Sequence, residues 1–266
     1  MASRHPVPTL PTMNLGIDAP DRLATTALPD GRRLGWAQWG RDDARPVLFF
    51  SGSAMGRSLG FGTHLLTERN LRLIAVERPG VGASDPLPGR TLTDWTHDVR
   101  NLAAALHLSG FTIVGFSHGA LFALACAAAG IGEAVAVVSG TDDLAHPDLA
   151  ALLDAAATDR AVYTSPGFAS AYRACLAEGL ARGAAGYARD LVLAFTPWPF
   201  DPAHTTVPVD LWYGAHDNTT VHSPDLGATL AIRIPEARRH LVADAGGSLL
   251  WTHAGRILDS LLSASC

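Results

Sequence analysis

Ser117 lies in the segment Gly115-Phe116-Ser117-His118-Gly119, which has the form G-x-S-x-G. An apolar run precedes this segment and a helix-forming run follows it. Glycines on both sides of a serine allow a tight turn between a strand and a helix, and such a turn holds the hydroxyl above the edge of a sheet. A serine hydroxyl is a weak nucleophile until a neighbouring base takes its proton. The segment therefore predicts a nucleophilic serine that needs a base and an acid from elsewhere in the chain.

Asp217 is the candidate acid. It closes a turn that begins at Gly214, directly after an apolar run over residues 207–213. A carboxylate at the end of a strand can hold a histidine in one tautomer and stabilise the imidazolium that forms when the base takes a proton. Asp142 and Asp143 follow another predicted strand and give a weaker alternative position for the acid.

The elements that must position these residues alternate between short apolar runs and helical patterns, which indicates a mostly parallel sheet covered on both faces. The predicted strands are residues 23–28, 34–39, 47–50, 73–76, 111–116, 134–138, 207–213 and 240–243. The predicted helices of this core are residues 92–108, 120–129 and 249–262.

The alternation stops between residues 139 and 206, where helical stretches are predicted at 149–157, 168–181 and 185–195. We interpret this region as a helical cap over the carboxyl ends of the strands, where ligands bind in open α/β sheets. The predicted fold class is α/β, a mostly parallel doubly wound sheet of about eight strands with a cap insertion. The predicted domains are an N-terminal arm (1–20), a core (21–140 and 205–266) and the cap (141–204).

Five segments in their chain order resemble the α/β-hydrolase superfamily, and the resemblance covers residues 23–262. The segments are residues 51–53, 77–84, 115–119, 207–217 and 246–247. Ser51 stands where the family usually has histidine, and Glu77 stands where it usually has aspartate. The resemblance implies a catalytic triad with Ser117 as nucleophile and Asp217 as acid.

Gly247 occupies the position at which the resemblance places the catalytic histidine. The family's chain order of serine, acid and histidine would be complete except for this last member. The sequence therefore predicts a site without its general base, through natural divergence or an engineered change. Of the 11 histidines, His222 shares a loop with Asp217 and is the best candidate for a substitute base, whereas His253 is expected on the closing helix.

Ser53 and His118 are the backbone donors that the resemblance implies for a developing oxyanion. His118 directly follows Ser117 at the start of a predicted helix, where N–H groups can stabilise negative charge. Ser53 lies in the loop after the strand at 47–50. Because the donors are backbone groups, the side chains at both positions matter less.

Composition excludes several kinds of chemistry and partner. All 20 basic residues are arginine, so Schiff-base and P-loop lysine chemistry are excluded. The net charge is -5 and the arginines form no stripe, so we expect no nucleic acid as a partner. No stretch resembles an apolar span of 18 residues, so we expect no membrane partner. The 3 cysteines lack metal-like spacing, and the N-terminal arm lacks a secretory pattern. We expect a cytoplasmic protein with no metal and no cofactor; no oligomeric state is indicated.

The predicted function is hydrolysis of a small to medium, largely apolar ester, lactone or C–C substrate through Ser117, weakened by the absent base. Aromatic residues of the insertion are expected to line the substrate pocket: Phe168, Tyr172, Trp198 and Phe200. Serine at the nucleophile position argues against epoxide hydrolase chemistry, in which a carboxylate attacks. Two alternatives remain open, a non-hydrolytic cyclase, isomerase or lyase on the same scaffold, and a ligand-binding protein without turnover.

Overall fold

Eight strands form a single sheet in the computed structural model, which describes residues 14–143, 159–219 and 221–264. The strands are β1 (Arg22–Ala27), β2 (Arg33–Trp39), β3 (Arg45–Phe50), β4 (Leu71–Val76), β5 (Thr112–Phe116), β6 (Val135–Val138), β7 (Val209–Gly214) and β8 (Arg238–Val242). Their order across the sheet is β1-β2-β4-β3-β5-β6-β7-β8. Strand β2 runs antiparallel to both of its neighbours, and the other pairs are parallel. The α/β fold class is confirmed.

Helices cover both faces of the sheet and form an insertion between β6 and β7. The core helices are α1 (Leu92–Ala105), α2 (Gly119–Ala128), α6 (Ala228–Arg233), α7 (Leu249–Thr252) and α8 (Ala254–Ala264). Helices α3 (Arg160–Tyr163), α4 (Pro166–Gly179) and α5 (Ala185–Ala194) lie in the insertion and are called the cap below. Two 3₁₀ turns span Thr63–Leu65 and Pro202–His204.

The central strands are buried on both faces, as their continuous apolar runs predict. One core cluster packs α1, α2 and α6 against one face, and a second cluster packs α7 and α8 against the other. The cap contacts both clusters, because Phe168 of α4 belongs to the second and Leu193 of α5 to the first. The cap therefore bridges the two sides of the sheet.

Strand register places the carboxyl ends of β5, β6 and β7 side by side. Phe116 pairs with Val138, and Val138 pairs with Trp212. The loops that follow these strands, which hold Ser117 and Asp217, therefore meet at one edge of the sheet.

Two features of the helices differ from the sequence prediction. The closing helix is divided at His253, which separates α7 from α8. A short helix that the sequence analysis does not predict, α6, begins after Gly227, and Gly227 itself has a left-handed backbone conformation with a φ of 77°. The predicted helix at 149–157 and most of the N-terminal arm lie outside the described residues. Within the described part of the chain, no helix is both long enough and apolar enough to span a membrane.

Candidate active site

Ser117 occupies a strained turn between β5 and α2. Its φ is 51°, in the left-handed region, which is unusual for a residue with a Cβ and is characteristic of a nucleophile elbow. The turn is closed by the N–H of Ala120, which donates to the carbonyl of Ser117 at 3.0 Å, and the N–H of Ser117 donates to the carbonyl of Val138 on β6 at 3.0 Å. A Cβ at Gly115 would lie 2.7 Å from the Cβ of Ala123, and one at Gly119 would overlap the carbonyl of Phe50. Both flanking glycines are thus required by the close approach of strand and helix.

The imidazole of His222 lies between Ser117 and Asp217. Its Nε2 is 2.8 Å from Ser117 Oγ, and its Nδ1 is 2.8 Å from Asp217 Oδ2 and 3.0 Å from Oδ1. All three side chains are buried, with Ser117 6%, Asp217 9% and His222 5% exposed. The expectation that Ser117 lacks a nearby imidazole is therefore wrong, and the histidine reaches it from the loop after β7.

The ionised carboxylate of Asp217 decides which ring nitrogen of His222 carries the proton. Burial alone would raise the pKa of Asp217, but the hydrogen bond and charge of His222, together with hydrogen bonds from Thr219, outweigh burial and lower that pKa. An ionised carboxylate only accepts hydrogen bonds, so Nδ1 of His222 carries the proton. Nε2 is then free to accept the hydroxyl proton of Ser117, which is the arrangement that activates a serine.

Ser223 anchors the loop that carries His222. Its N–H donates to the carbonyl of Gly140 at 2.8 Å, and its hydroxyl lies 2.6 Å from Asp142 Oδ2. Burial raises the pKa of Asp142 to about 6, even though the contact with Ser223 acts in the opposite direction. Asp142, weighed above as an alternative acid, thus binds the residue after the histidine and not the histidine itself.

Gly247 lies beside Oδ1 of Asp217, an oxygen that His222 Nδ1 also contacts at 3.0 Å. A Cβ at Gly247 would be 2.9 Å from Asp217 Oδ1 and 3.2 Å from Asp159 Oδ2. The carboxylate of Asp159, at the start of the cap, accepts the N–H groups of Gly247 at 2.7 Å and Ser248 at 3.0 Å. The cap therefore occupies the space next to Gly247, and a side chain there would displace one of two carboxylates.

Ser53 and His118, the predicted oxyanion donors, contact each other through their side chains. Ser53 Oγ is 3.3 Å from His118 Nδ1, and His118 Nε2 is 2.9 Å from the backbone carbonyl of Asp190 in α5. Because a carbonyl only accepts, Nε2 is protonated and Nδ1 accepts the hydroxyl proton of Ser53. The loop after β3 (residues 51–53, the β3 loop) is thereby joined to the elbow and to the cap.

The four aromatic residues predicted to share one pocket form two pairs that pack on different core clusters. Phe168 and Tyr172 stack at 5.9 Å on the α7 side, where Phe168 also meets Trp251 at 4.7 Å. Trp198 and Phe200 stack at 5.3 Å on the α2 side and line a cavity of about 720 Å³. The described residues that line this cavity do not include Ser117. Only the first pair belongs to the aromatic group next to His222, which it reaches through Trp251 and Phe116.

The contacts of Glu77 explain how glutamate is accommodated at a position where the family usually has aspartate. Its carboxylate accepts the N–H groups of Ala83 at 2.8 Å and Arg57 at 3.1 Å, and it fills space beside Gly35 and Gly82 that a Cβ at either glycine would enter. Burial raises its pKa to about 7 despite these bonds. Glu77 is structural in its contacts and does not touch Ser117.

Residues 47–259 match the model of the Alpha/beta hydrolase family. The chain belongs to the alpha/beta hydrolase family. A search of curated proteins with the sequence of this chain found no match.

Solved structures support the same fold for this hydrolase-family chain. An alpha/beta hydrolase fold protein from Nakamurella multipartita is 18% identical, with a TM-score of 0.72 over 92% of this chain and 100% of that one. The enol-lactonase from Burkholderia xenovorans LB400 is 21% identical, with a TM-score of 0.68 over 90% and 98%. An esterase from Exiguobacterium antarcticum is 16% identical, with a TM-score of 0.68 over 90% and 98%. At these identities the likeness establishes the fold alone.

Several contacts at the site could not be found from the sequence. His222 is a candidate base from the sequence because it shares a loop with Asp217, but nothing in the sequence directs its ring towards Ser117. The roles of Asp159, Asp190 and Ser223 carry no local sequence signal, because their partners are 88, 72 and 81 positions away.

Proposed function

We propose that this protein is a serine hydrolase that cleaves small to medium, apolar esters or lactones, with Ser117 as nucleophile, His222 as general base and Asp217 as acid. The observation that carries the proposal is the 2.8 Å separation between His222 Nε2 and Ser117 Oγ. This distance is within the range in which a base takes a hydroxyl proton.

The first half of the proposed reaction is acylation of Ser117. Its Oγ attacks the carbonyl carbon of the substrate while the hydroxyl proton passes to His222 Nε2. The carboxylate of Asp217 stabilises the resulting imidazolium through Nδ1. The carbonyl oxygen becomes an oxyanion, and the backbone N–H groups of Ser53 and His118 are the proposed donors that stabilise it. The proton on Nε2 then moves to the leaving alkoxide.

The second half is hydrolysis of the acyl-enzyme. A water molecule gives a proton to His222 Nε2 and attacks the acyl carbon, and a second oxyanion forms at the same position. Its collapse returns the proton to Ser117 Oγ and releases the acid. Each group therefore returns to its starting state.

An apolar substrate is favoured by the aromatic group that joins the cap to His222. Phe168, Tyr172 and Tyr163 of the cap pack against one another at centroid distances from 5.5 to 5.9 Å. Phe168 and Tyr163 also meet Trp251, at 4.7 and 6.4 Å. Aromatic side chains bind apolar molecules by burying their surface. We propose that Phe168 and Tyr172 contribute to the wall of the substrate pocket.

The alternatives of a non-hydrolytic enzyme or a binding protein depended on an absent base. His222 removes that argument, because an imidazole contacts both Ser117 and Asp217. No other observation favours either alternative over hydrolysis.

The proposal is tested by hydrolysis of p-nitrophenyl acetate and butyrate by the wild-type protein and Ser117→Ala. We expect turnover by the wild type and its loss in the variant, with an acyl-enzyme adduct on Ser117 detected by mass spectrometry after acid quench. A fluorophosphonate should label the wild type and not Ser117→Ala. Absence of both turnover and labelling in the wild type would overturn the proposal and favour a binding protein.

A further inference from the structure

A buried ionic group ties the cap to the β3 loop. Asp190 of α5 is 0% exposed, and its carboxylate lies between two guanidinium groups that are also buried. Arg78 Nε donates to Asp190 Oδ2 at 2.7 Å, and Arg90 donates to Oδ1. Buried charges are tolerated only when they are paired and hydrogen-bonded, so each group of this set constrains the positions of the others.

Arg78 extends this group to the β3 loop. Its Nη1 donates to the carbonyl of Ser51 at 2.7 Å, and its Nη2 donates to the carbonyl of Gly52 at 2.9 Å. The guanidinium is a planar fork, so its orientation on Asp190 also sets the direction of these two bonds.

The bond to Gly52 acts on the proposed oxyanion donor through the peptide plane. The carbonyl of Gly52 and the N–H of Ser53 belong to one peptide group, which is planar and, in this protein, not cis. Fixing the direction of the carbonyl therefore fixes the direction of the N–H on the opposite side of the same plane.

A second bond from Asp190 reaches the other proposed donor. Its backbone carbonyl accepts His118 Nε2–H at 2.9 Å, while Nδ1 of His118 accepts the hydroxyl of Ser53. Burial lowers the pKa of His118, which keeps the ring neutral and Nδ1 available as an acceptor. One cap residue thus contacts both halves of the proposed oxyanion site.

We propose that Asp190 is a positioning residue for oxyanion stabilisation, acting through Arg78 on the Gly52–Ser53 peptide; this rests on the proposed function. Without its carboxylate, Arg78 loses the anion that orients it, and the Ser53 N–H is no longer held in one direction. Stabilisation of the transition state then falls while binding of the ground-state ester is retained.

The test compares Asp190→Asn with wild type in p-nitrophenyl butyrate hydrolysis and in inhibition by phenylboronic acid. The boron accepts an electron pair from Ser117 Oγ and the hydroxyl proton passes to His222. The tetrahedral adduct is an anion that places one of its boron-bound hydroxyl oxygens at the oxyanion position. We expect kcat to fall about 10- to 100-fold, KM to stay within about twofold, and the inhibition constant to rise in parallel with the loss in kcat.

Arg182→Gln is the matched control. Arg182 of the cap binds Asp85 of the core at 2.9 Å, so it crosses the same boundary, but neither residue contacts the β3 loop in the bonds described. We expect wild-type kinetics from this variant. An equal loss of kcat in Arg182→Gln would show a general effect of loosening the cap and overturn the inference.

Asp190→Asn leaves two buried guanidinium groups without their anion and can fail to fold. The double variant Asp190→Asn with Arg90→Met removes one of these charges and still deprives Arg78 of its carboxylate, so it should reproduce the loss in kcat. If a folded variant lacking the Asp190 carboxylate kept the wild-type kcat and the wild-type inhibition constant for the boronate, the inference would be refuted, but the proposed function would not. A wild-type protein that neither turns over esters nor reacts with fluorophosphonate would refute the proposed function, and the inference with it.

Discussion

His222 and Asp217 belong to one loop, five residues apart, and their side chains meet at 2.8 Å. The proposed base and acid therefore come from a single segment after β7, and the loop after β8 supplies neither. That second loop instead places Gly247 against Oδ1 of Asp217, and Asp159 accepts the backbone N–H of Gly247. The loop after β8 thus contacts the cap through its backbone N–H groups and lies against the carboxylate that holds His222.

Replacement of the proposed base should abolish most of the activity. We expect His222→Ala to lower kcat by about 10⁴, because Ser117 then attacks without a group to take its proton. Added imidazole should restore part of the rate, since a free imidazole can enter the space left by the side chain. The measurement is p-nitrophenyl butyrate turnover at neutral pH with and without imidazole.

His253→Ala serves as its control. His253 ends α7, and its Nδ1 contacts Thr252 Oγ1 at 2.9 Å, away from the contacts of Ser117. We expect its kcat to stay near that of the wild type. A His222→Ala protein that retains wild-type kcat would show that this imidazole is not the base.

Much of the fold followed from local sequence pattern, whereas the path of the His222 loop did not. Strands such as β3 and β5 are continuous apolar runs, and the elbow at Ser117 is marked by its flanking glycines. These are short-range signals, so they could be interpreted without a structure. The direction of His222, in contrast, is fixed by the contacts of Ser223 with Gly140 and Asp142, which are distant in sequence.

Loss of the Ser223 hydroxyl should weaken catalysis without removing a reacting group. Ser223→Ala deprives buried Asp142 of its 2.6 Å partner and loosens the loop next to His222. We expect kcat to fall by about 10-fold with little change in KM, because a misplaced base affects the chemical step more than binding. Ser263→Ala, whose hydroxyl binds only carbonyls of its own helix, should leave both constants unchanged. Equal kinetics for the two variants would argue against the anchoring role.

The buried carboxyl of Glu77 should make stability depend on pH. Burial raises the pKa of Glu77 from 4.5 to about 7. Between pH 4.5 and pH 7 the carboxyl is therefore protonated in the folded protein and ionised in the unfolded chain. The contribution of the Glu77 carboxyl to the free energy of unfolding is fully present below pH 4.5 and is lost as the pH rises through 7. Between pH 5 and pH 8 we expect the wild type to lose about 2 kcal/mol more unfolding free energy than Glu77→Gln.

Urea unfolding of both proteins at the two pH values measures this difference. A wild-type protein whose stability rises relative to Glu77→Gln over this range would contradict the predicted sign.

A side chain at Gly247 should impair the site and not repair it. The Cβ of Gly247→Ala would lie 2.9 Å from Asp217 Oδ1 and 3.2 Å from Asp159 Oδ2, so one carboxylate must shift. Movement of Asp217 misdirects His222, and movement of Asp159 breaks its bonds to the backbone of Gly247 and Ser248. We expect kcat to fall several-fold and the unfolding free energy to fall by about 1 to 3 kcal/mol. Gly247→His should lower kcat at least as much, because its larger ring competes with His222 for Asp217.

Gly167→Ala provides the matched glycine control, since a Cβ there meets nothing within 4 Å and the residue lies in α4. In a helix this change should stabilise the protein slightly, by about 0.5 to 1 kcal/mol, and leave kcat unchanged. The comparison uses urea unfolding and ester turnover on all three variants. If Gly247→His increased Ser117-dependent turnover, the loop after β8 would be the working position of the base, and His222 would have to be reassigned as a structural ligand of Asp217.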